Sequence, residues 1–340
     1  MDNTSFSVCG YGRIGKRHAH IIHNHDKSNL GGIIDPRREA EQEVADSGLD
    51  VPVYQSLEEF IRADQNNTDV INICTPNGLH ASLAVMALKA GYHVVIEKPM
   101  ALTRKDCERV IEAAEKTARF VFVVKQNRYS PTSTWLKEIV EEGVLGKINL
   151  VQISCFWNRD ERYYSPDDWH GTLDLDGGVL YTQFSHFVDI LYWVFGDIDN
   201  ISALFSNETR SDLIDFEDTG SVIFELDRGG MGSLNYTIGC WEKNMESSIT
   251  VIGSKGSVKI GGQYMNTIEY CNVEDYNQPE LPETNPPNDY GPYQGSAANH
   301  HFVIENVINT LSGSASVSTT GIDGMKVVDI IERIYKHRKV

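Results

Sequence analysis

The sequence is short of basic residues and has no long apolar run. Lysine and arginine number 30 against 48 aspartates and glutamates, which gives a formal net charge of −18. Because a field of that sign repels polyanions, we expect no general binding to nucleic acid or to an anionic membrane surface. No apolar run approaches membrane-spanning length, and no basic-then-apolar leader opens the sequence. We therefore expect neither membrane insertion nor export.

Cysteines are few and do not form paired motifs. Six are spread along the 340 residues without a Cys-x-x-Cys pair. This pattern is typical of reduced thiols rather than of a disulfide framework, so we expect a cytoplasmic protein. Hydrophobic residues make up 41% and charged residues 23% of the chain, which is ordinary for a globular protein. The length allows two domains, each with its own core.

A glycine-rich turn stands near the start of the chain. A short strand over 5–9 runs into residues 10–15, Gly-Tyr-Gly-Arg-Ile-Gly, and a helix is predicted over 16–25. In this context the three glycines allow a tight turn, a close approach of the backbone to a pyrophosphate, and close packing of the helix on the strand. The residues predicted to form this pyrophosphate site are Gly10, Gly12, Arg13, Ile14 and Gly15.

An acidic residue ends the second predicted strand. Asp35 directly follows the strand over 30–34. A carboxylate there can accept hydrogen bonds from the adenosine ribose hydroxyls and would repel a 2′-phosphate, so NAD is favoured over NADP. Arg37 and Arg38 keep NADP as a minority alternative.

Strands and helices alternate as far as residue 124. Further strands are predicted over 51–54, 69–74, 93–97 and 120–124, with helices between them. This alternation predicts βαβ crossovers and a doubly wound parallel sheet, so we expect residues 1–124 to form an NAD-binding Rossmann domain. Thr75, Asn77 and His80 follow the strand over 69–74, where they would border the cofactor. A simple strand-to-helix turn explains Thr75 and Asn77 about as well.

The strand over 93–97 carries the candidate chemistry. It ends in Glu97, Lys98 and Pro99, and ligands bind at that edge of an open α/β sheet. Apolar strand residues beside Lys98 would partly desolvate it and lower its pKa, which suits exchange of a proton with a substrate hydroxyl. Taken alone, the tripeptide is more simply a surface lysine that ends a strand. The glycine turn and Asp35 reverse that preference.

The pattern changes after residue 125. A helix from residue 132 precedes strands predicted over 147–157, 198–207, 219–227, 230–240, 246–253 and 256–260. Successive strands without helices between them predict a large, mostly antiparallel open sheet, hence an α+β substrate and oligomerisation domain over 125–340. One face of such a sheet is available for a subunit interface, so we expect a homodimer or homotetramer. A long loop over 278–295 and a closing helix over 322–337 complete this half.

Polar and aromatic residues are concentrated between positions 157 and 189. Guanidinium, phenol and indole groups in this stretch suit phosphates, sugar hydroxyls and a stacked base. The candidates for the diphosphate or a carboxylate are Arg159, Arg162, Tyr163 and Tyr164. Thr182, His186 and Asp189 follow a double glycine at spacings that place them on one helical face. His186 is therefore a candidate acid–base group.

Histidines at positions 18, 20, 23 and 25 do not predict a metal site. Helical geometry spreads them around the axis, and no cysteine or acidic group completes a ligand set. We expect no metal, and we expect His18 to border the cofactor phosphates.

The glycine turn, Glu97-Lys98-Pro99, and Gly177-Gly178 followed by His186 resemble the family of glucose–fructose oxidoreductase and inositol dehydrogenase over essentially the whole chain. The resemblance implies that Lys98 and His186 are the catalytic pair. It also implies cofactor contacts by Glu97 and Gln126. Family members often carry an aspartate four residues before the histidine, where this chain has Thr182.

A closer likeness is to the UDP-N-acetylglucosaminuronate 3-dehydrogenases, which act in the synthesis of surface polysaccharide aminosugars. It rests on the motifs at 126–129, 158–164, 169–172, 181–183, 289–292 and 295–300. His170 departs from the Trp-Arg-Gly-Thr form expected in that branch. The resemblance implies NAD-dependent oxidation of the sugar's C3 hydroxyl to a ketone, with 2-oxoglutarate as a candidate for cofactor recycling. The further substrate contacts that it implies are Asn127, Trp169, Thr182 and Gln183.

Two alternatives remain open at this point. An inositol or other polyol dehydrogenase would use the same fold and the same catalytic pair. A non-catalytic cofactor-binding regulator would tolerate loss of Lys98 and His186, and this chain keeps both.

Overall fold

A parallel sheet organises the first part of the chain in the computed structural model, which describes residues 3–64, 67–165, 168–289, 291 and 293–338. Its strands lie in the order β3-β2-β1-β4-β5-β6, and each neighbouring pair is parallel. They are β1 (Thr4–Cys9), β2 (Ser28–Ile34), β3 (Val53–Tyr54), β4 (Val70–Ile73), β5 (His93–Ile96) and β6 (Val121–Val123). The strand order confirms the predicted doubly wound Rossmann sheet.

Helices connect these strands: α1 (Arg13–His23), α2 (Glu39–Asp46), α3 (Leu57–Ala63), α4 (His80–Lys89) and α5 (Arg104–Thr117). Hydroxyl caps begin two of them, because Ser56 and Thr103 accept the backbone N–H of the residue three positions later. The sequence patterns did not predict α2, a short helix of only eight residues.

The second sheet is mostly antiparallel, as predicted. Its order is β13-β12-β11-β7-β10-β9-β8, in which β7 and β10 form a parallel pair and the other pairs are antiparallel. The strands are β7 (Ile148–Phe156), β8 (Ile198–Ser206), β9 (Thr219–Leu226), β10 (Met231–Thr237), β11 (Glu246–Gly253), β12 (Gly256–Gly261) and β13 (Thr267–Val273). The helices α6 (Pro131–Glu141), α7 (Val179–Thr182) and α8 (Ser185–Phe195) accompany it.

Two parts of this half differ from the sequence prediction. The edge strand β13 was not predicted, and all of its residues are exposed or half-buried. The segment expected to be one long loop over 278–295 contains β14 (Pro287–Asp289) and the start of β15 (Gln294–Ala297), which pair as a small antiparallel hairpin. Tyr290 and Pro292, part of the motif at 289–292, lie outside the described residues.

The last two helices are α9 (His300–Leu311) and α10 (Gly321–Tyr335). The chain divides into two compact units, the first formed by Met1–Val124 with His300–Val328 and the second by Lys125–Asn299 with Asp329–Val340. The sequence prediction had instead assigned all of 125–340 to the second domain.

Hydrogen bonding explains why the late segment belongs to the first unit. The Val123 backbone N–H donates to the Thr319 carbonyl at 3.0 Å, and the Thr319 hydroxyl donates to the Val123 carbonyl at 2.6 Å. A side chain at Gly324 would stand 2.8 Å from Val123, so glycine lets α10 pack close to β6. Over the part of the chain that the structure describes, no helix is long and apolar enough to cross a bilayer.

Candidate active site

The glycine turn between β1 and α1 has the geometry of a phosphate-binding loop. Gly10 has φ of 91°, and a Cβ there would lie 2.7 Å from the Cys74 carbonyl oxygen. A Cβ at Gly15 would lie 1.8 Å from the Gly10 carbonyl oxygen, whereas one at Gly12 would meet nothing within 4 Å. Gly12 therefore faces open space. It begins α1, where no side chain caps the helix, and a helix N-terminus of this kind favours an anionic ligand.

Asp35 is tied to that turn. Its Oδ2 accepts the Tyr11 backbone N–H at 2.7 Å, and its Oδ1 accepts the backbone N–H and Nε of Arg37 at 2.9 and 3.0 Å. The hydrogen bond to Asp35 raises the pKa of Arg37. Arg37 also reaches Glu43 at 3.3 Å, so its charge is paired with two carboxylates. The open loop and the adjacent carboxylate fit an adenine dinucleotide without a 2′-phosphate.

Glu97, at the end of β5, is buried against two histidines. Its Oε1 lies 2.9 Å from His18 Nε2 and 3.4 Å from His300 Nε2, and its Oε2 accepts the Lys98 backbone N–H at 3.1 Å. Burial acts to raise the pKa of Glu97, but His18 and His300 outweigh it and hold that pKa well below its usual range. The Lys98–Pro99 peptide bond is cis.

His18 was expected to border the cofactor phosphates, but it is buried beside Glu97. Its ring is fully buried, with Nδ1 2.8 Å from the Asn72 amide nitrogen and Nε2 on Glu97, rather than at an exposed phosphate loop. The ligand atoms of His18, Glu97 and His300 lie within 4.8 Å of one another. In this buried cluster His18 and Glu97 are at ordinary hydrogen-bond distance, whereas His300 lies farther from the carboxylate, at 3.4 Å. The expectation that no acidic group would join these histidines was wrong for His18, because Glu97 approaches it from a distant part of the chain.

His80 joins the turns that follow β4 and β5. Its Nδ1 lies 2.7 Å from the Pro99 carbonyl oxygen, and its Nε2 lies 2.8 Å from the Thr75 carbonyl oxygen. Burial lowers the pKa of His80. Asn77 is buried in the short 3₁₀ turn before α4. The structure thus brings the predicted cofactor residues Thr75, Asn77 and His80 to the carboxyl edge of the sheet, beside Glu97.

In the second unit, Arg159 is the centre of a polar and aromatic cluster. It is 2% exposed, and its guanidinium donates to Gln183 Oε1, Asn244 Oδ1 and the Gln294 carbonyl, each at 3.1 Å. The rings of Trp157, Tyr163 and Tyr293 lie 4.8, 5.5 and 4.8 Å from it. These contacts hold the guanidinium in one orientation.

Aromatic residues continue the cluster. Tyr163 packs on Tyr164 and His170 with ring centroids 4.8 and 4.5 Å apart, and His170 stacks on Trp169 at 3.9 Å. His170 Nδ1 also lies 2.5 Å from Asp168 Oδ2. The predicted substrate residues Arg159, Tyr163, Tyr164, Trp169 and Gln183 therefore lie together.

Other predicted residues have partners of their own. Arg162 is largely exposed and pairs with Asp160 at 2.6 Å. Gln126 and Asn127 are buried in a 3₁₀ turn before α6, where Asn299 donates to the Gln126 carbonyl at 3.2 Å.

The expected single helix through Thr182, His186 and Asp189 is interrupted. The N–H groups of residues 183 and 184 both bond to the Val179 carbonyl and end α7, after which α8 starts at Ser185. Thr182 and His186 are thus on different helices. Asp189 binds Arg128 through both carboxylate oxygens, at 2.7 and 2.9 Å, and lies 3.8 Å from Lys125 Nζ. The Asp189 carboxylate serves this ion-pair group.

Several residues of the site were not predicted. Asp176 hydrogen-bonds to the Thr182 hydroxyl, and Asn244 bonds to both Arg159 and the Asn158 backbone. Asp176 had a local signal, since it directly precedes the double glycine. Asn244 had none, because Asn158 and Arg159 lie more than 80 residues away from it in the chain.

Comparison with known families agrees with this geometry. Residues 4–125 match the model described as an oxidoreductase family with an NAD-binding Rossmann fold, and residues 134–259 match the GFO/IDH/MocA C-terminal domain. The chain belongs to the Gfo/Idh/MocA oxidoreductase family. Its first unit is accordingly an NAD-binding Rossmann domain, and the protein is an NAD-dependent oxidoreductase of sugar or polyol hydroxyls.

Solved and curated Gfo/Idh/MocA relatives differ in substrate. The chain is 34% identical to the WlbA dehydrogenase of Bordetella pertussis, covering 98% of this chain and 96% of that one with a TM-score of 0.86. It is 31% identical to the WlbA dehydrogenase of Chromobacterium violaceum, covering 99% and 94% with a TM-score of 0.88. Both were crystallised with NADH and UDP-GlcNAcA. The myo-inositol 2-dehydrogenase of Thermotoga maritima is 28% identical over 74% of this chain and 73% of its own length.

Proposed function

We propose that this protein oxidises the C3 hydroxyl of UDP-N-acetylglucosaminuronate to the 3-keto sugar with NAD. The observation that carries the proposal is its identity of 34% and 31%, over nearly the full chain, to two dehydrogenases crystallised with NADH and UDP-GlcNAcA. The reaction would precede an amino transfer to the new ketone, in the synthesis of surface polysaccharide aminosugars.

The proposed chemistry assigns separate roles to NAD, His186 and Lys98. When bound, NAD supplies the hydride acceptor. His186 accepts the hydroxyl proton, and Lys98 donates a hydrogen bond to the oxygen as negative charge develops on it. These two roles are exchangeable, since both groups can relay a proton. Glu97 holds the Lys98 backbone through the bond to its N–H.

The Arg159 cluster supports a nucleotide sugar as the substrate. The buried Arg159 guanidinium carries a permanent positive charge and is held in one orientation by Gln183, Asn244 and the Gln294 carbonyl, and the neighbouring aromatic rings offer stacking surfaces. We assign the uronate carboxylate or the diphosphate to Arg159, with Tyr163, Tyr164 and Trp169 beside it. Arg162, Asn127 and Gln183 are further proposed contacts, and Gln126 is a proposed cofactor contact.

A polyol dehydrogenase is the second candidate, favoured by the similarity to myo-inositol 2-dehydrogenase. A panel of initial rates with NAD separates the two. It comprises UDP-N-acetylglucosaminuronate, UDP-N-acetylglucosamine, which lacks the carboxylate, and myo-inositol. We expect the first to give the highest kcat/KM. A higher kcat/KM for myo-inositol would contradict the proposal.

Cofactor recycling is tested in the same reactions. Two routes are open, exchange with free NAD and reoxidation in place by an oxoacid such as 2-oxoglutarate, and 2-hydroxyglutarate formed in step with ketosugar would support the second route. Ketosugar formed only with an excess of free NAD would exclude it.

A further inference from the structure

Thr182, at the end of α7, shares a hydrogen bond with a buried carboxylate. The Thr182 hydroxyl contacts Asp176 Oδ1, and Asp176 is fully buried. The other oxygen, Oδ2, accepts the Gly171 backbone N–H at 2.8 Å. Asp176 thus connects the turn at 169–172 with α7. Both oxygens of its carboxylate are used as acceptors.

The contact decides which way the Thr182 hydroxyl points. A hydroxyl has one donor hydrogen and two acceptor lone pairs, whereas an ionised carboxylate only accepts. The Thr182 hydroxyl is the donor in its bond to Asp176 Oδ1. The Thr182 hydrogen is therefore directed at Asp176, and the Thr182 oxygen meets any further ligand as an acceptor.

We propose that Asp176 is a positioning residue that fixes Thr182 as a hydrogen-bond acceptor for a ring hydroxyl of the substrate. The inference rests on the proposed function, because it requires a polyhydroxyl ring beside α7. Thr182 would then select a substrate whose ring carries a hydroxyl that can donate a hydrogen bond to the Thr182 oxygen. It would reject a ring that carries an ether, a carbonyl or a hydrogen there, since a buried acceptor would lose its partner.

The first unit contains a matched control pair. The Thr68 hydroxyl donates to Asp64 Oδ1 at 2.9 Å, and both residues are buried. Asp64→Asn therefore removes a buried carboxylate from a threonine hydroxyl outside the proposed substrate site. This variant measures how much activity falls when the loss of a buried carboxylate affects only the stability of the fold.

A double-mutant cycle tests the inference. The variants are Asp176→Asn, Thr182→Val, the double variant, Thr182→Ser and Asp64→Asn. For each we would measure kcat, KM for UDP-N-acetylglucosaminuronate, the Kd for NADH and Tm. We expect Asp176→Asn and Thr182→Val each to lower kcat/KM about tenfold, the effect of one hydrogen bond. The double variant should lose about the same tenfold, because Asp176 acts through the Thr182 hydroxyl.

The remaining variants separate positioning from structure. Thr182→Ser should restore kcat/KM to within about threefold of the wild type, since it keeps the hydroxyl. Asp64→Asn should leave kcat/KM unchanged even if Tm falls, and the Kd for NADH should not move in any Asp176 or Thr182 variant. If Asp176→Asn does not fold, Asp176→Glu replaces it in the cycle, because it keeps the charge but moves it by one methylene.

Additive losses, about a hundredfold in the double variant, would overturn the inference, as would an Asp176→Asn enzyme with unchanged kcat/KM. Failure of the proposed function is visible separately, as a wild type inactive on UDP-N-acetylglucosaminuronate. In that case the same cycle is run with myo-inositol, whose ring hydroxyls also donate, and the same outcomes decide.

Discussion

The backbone N–H of Tyr11, inside the glycine turn, donates to the carboxylate of Asp35 at 2.7 Å. One residue thus fixes the shape of the pyrophosphate loop and stands where the adenosine ribose is expected. Asp35 also holds the exposed guanidinium of Arg37 at 3.0 Å. Cofactor affinity and cofactor selectivity should therefore both depend on this carboxylate.

Asp35→Ala should weaken NAD binding by about 1.5–3 kcal/mol, the contribution of hydrogen bonds to a charged group. The substitution should also reduce the ratio of NAD affinity to NADP affinity. Arg37 loses one of its two carboxylate partners, so its positive charge can meet the 2′-phosphate of NADP. Fluorescence titration with NADH and NADPH measures both effects. Asp69→Ala, which removes a carboxylate bonded to the Ser5 backbone N–H in the same unit, is the control. Unchanged NADH affinity in Asp35→Ala would show that the ribose lies elsewhere.

Much of this nucleotide-binding half could be predicted from the sequence, because its signals are local. The glycine turn, the strand ending in Asp35 and the βαβ alternation each occupy a short stretch of chain. The cluster of Glu97, His18 and His300 could not be predicted in the same way. Glu97 and His18 lie 79 positions apart, and neither periodicity nor a motif records which side chains meet after folding.

The same limit explains the errors in the second half. An amphipathic pattern predicted α10, but it does not reveal which sheet the apolar face covers, so the attachment of 300–328 to the first unit was missed. Helical spacing placed Thr182 and His186 on one face. That inference failed because the Phe184 N–H bonds to the carbonyl five residues back and ends α7.

Glu97→Gln should destabilise the first unit by about 1.5–3 kcal/mol, since it removes the charge that the buried histidines contact. The pKa of Glu97 is depressed in the folded chain. Its contribution is therefore fully present above the unfolded carboxyl pKa of about 4.3 and is lost as pH falls through the lower folded value.

Urea unfolding of wild type and Glu97→Gln over a pH series measures this. The difference in the free energy of unfolding should be constant at neutral pH and shrink below about pH 4. Glu112→Gln, which changes an exposed carboxylate paired with Lys116, is the control. If the difference in the free energy of unfolding between wild type and Glu97→Gln does not shrink at acid pH, the stabilisation does not come from the Glu97 charge.

Lys98→Met should lower kcat by about 10²–10⁴-fold, the usual effect of a positioned acid–base group, and leave the Kd for NADH unchanged. Stopped-flow measurement of the first turnover separates this loss from slow product release. Lys105→Met changes an exposed lysine near the start of α5 and should behave as wild type. Normal turnover by Lys98→Met would refute the role given to Lys98.

The open face of the seven-stranded sheet carries exposed apolar side chains on four neighbouring strands: Leu150, Leu204, Ile223 and Met231. Met231 is directly opposite Leu150 on the adjacent strand. Apolar residues grouped in this way are typical of an interface, and we propose that a second copy of the chain covers them.

Light scattering after size-exclusion chromatography should give a dimer or tetramer for the wild type and a smaller assembly for Ile223→Lys. Ile322→Lys, at an exposed position in α10 of the first unit, should keep the wild-type mass. A monomeric wild type, or an Ile223→Lys variant of unchanged mass, would show that this face is not the interface.

In the proposed reaction, hydride leaves C3 of UDP-N-acetylglucosaminuronate. The most direct test is to incubate the protein with NAD and the nucleotide sugar carrying deuterium at C3, and to analyse cofactor and sugar by mass spectrometry. Deuterium is expected in the reduced cofactor, together with an unlabelled nucleotide ketosugar. Reduced cofactor without deuterium, with the label kept in the sugar, would contradict C3 as the site of oxidation. No reduced cofactor at all, from folded protein that binds NAD, would contradict the substrate itself.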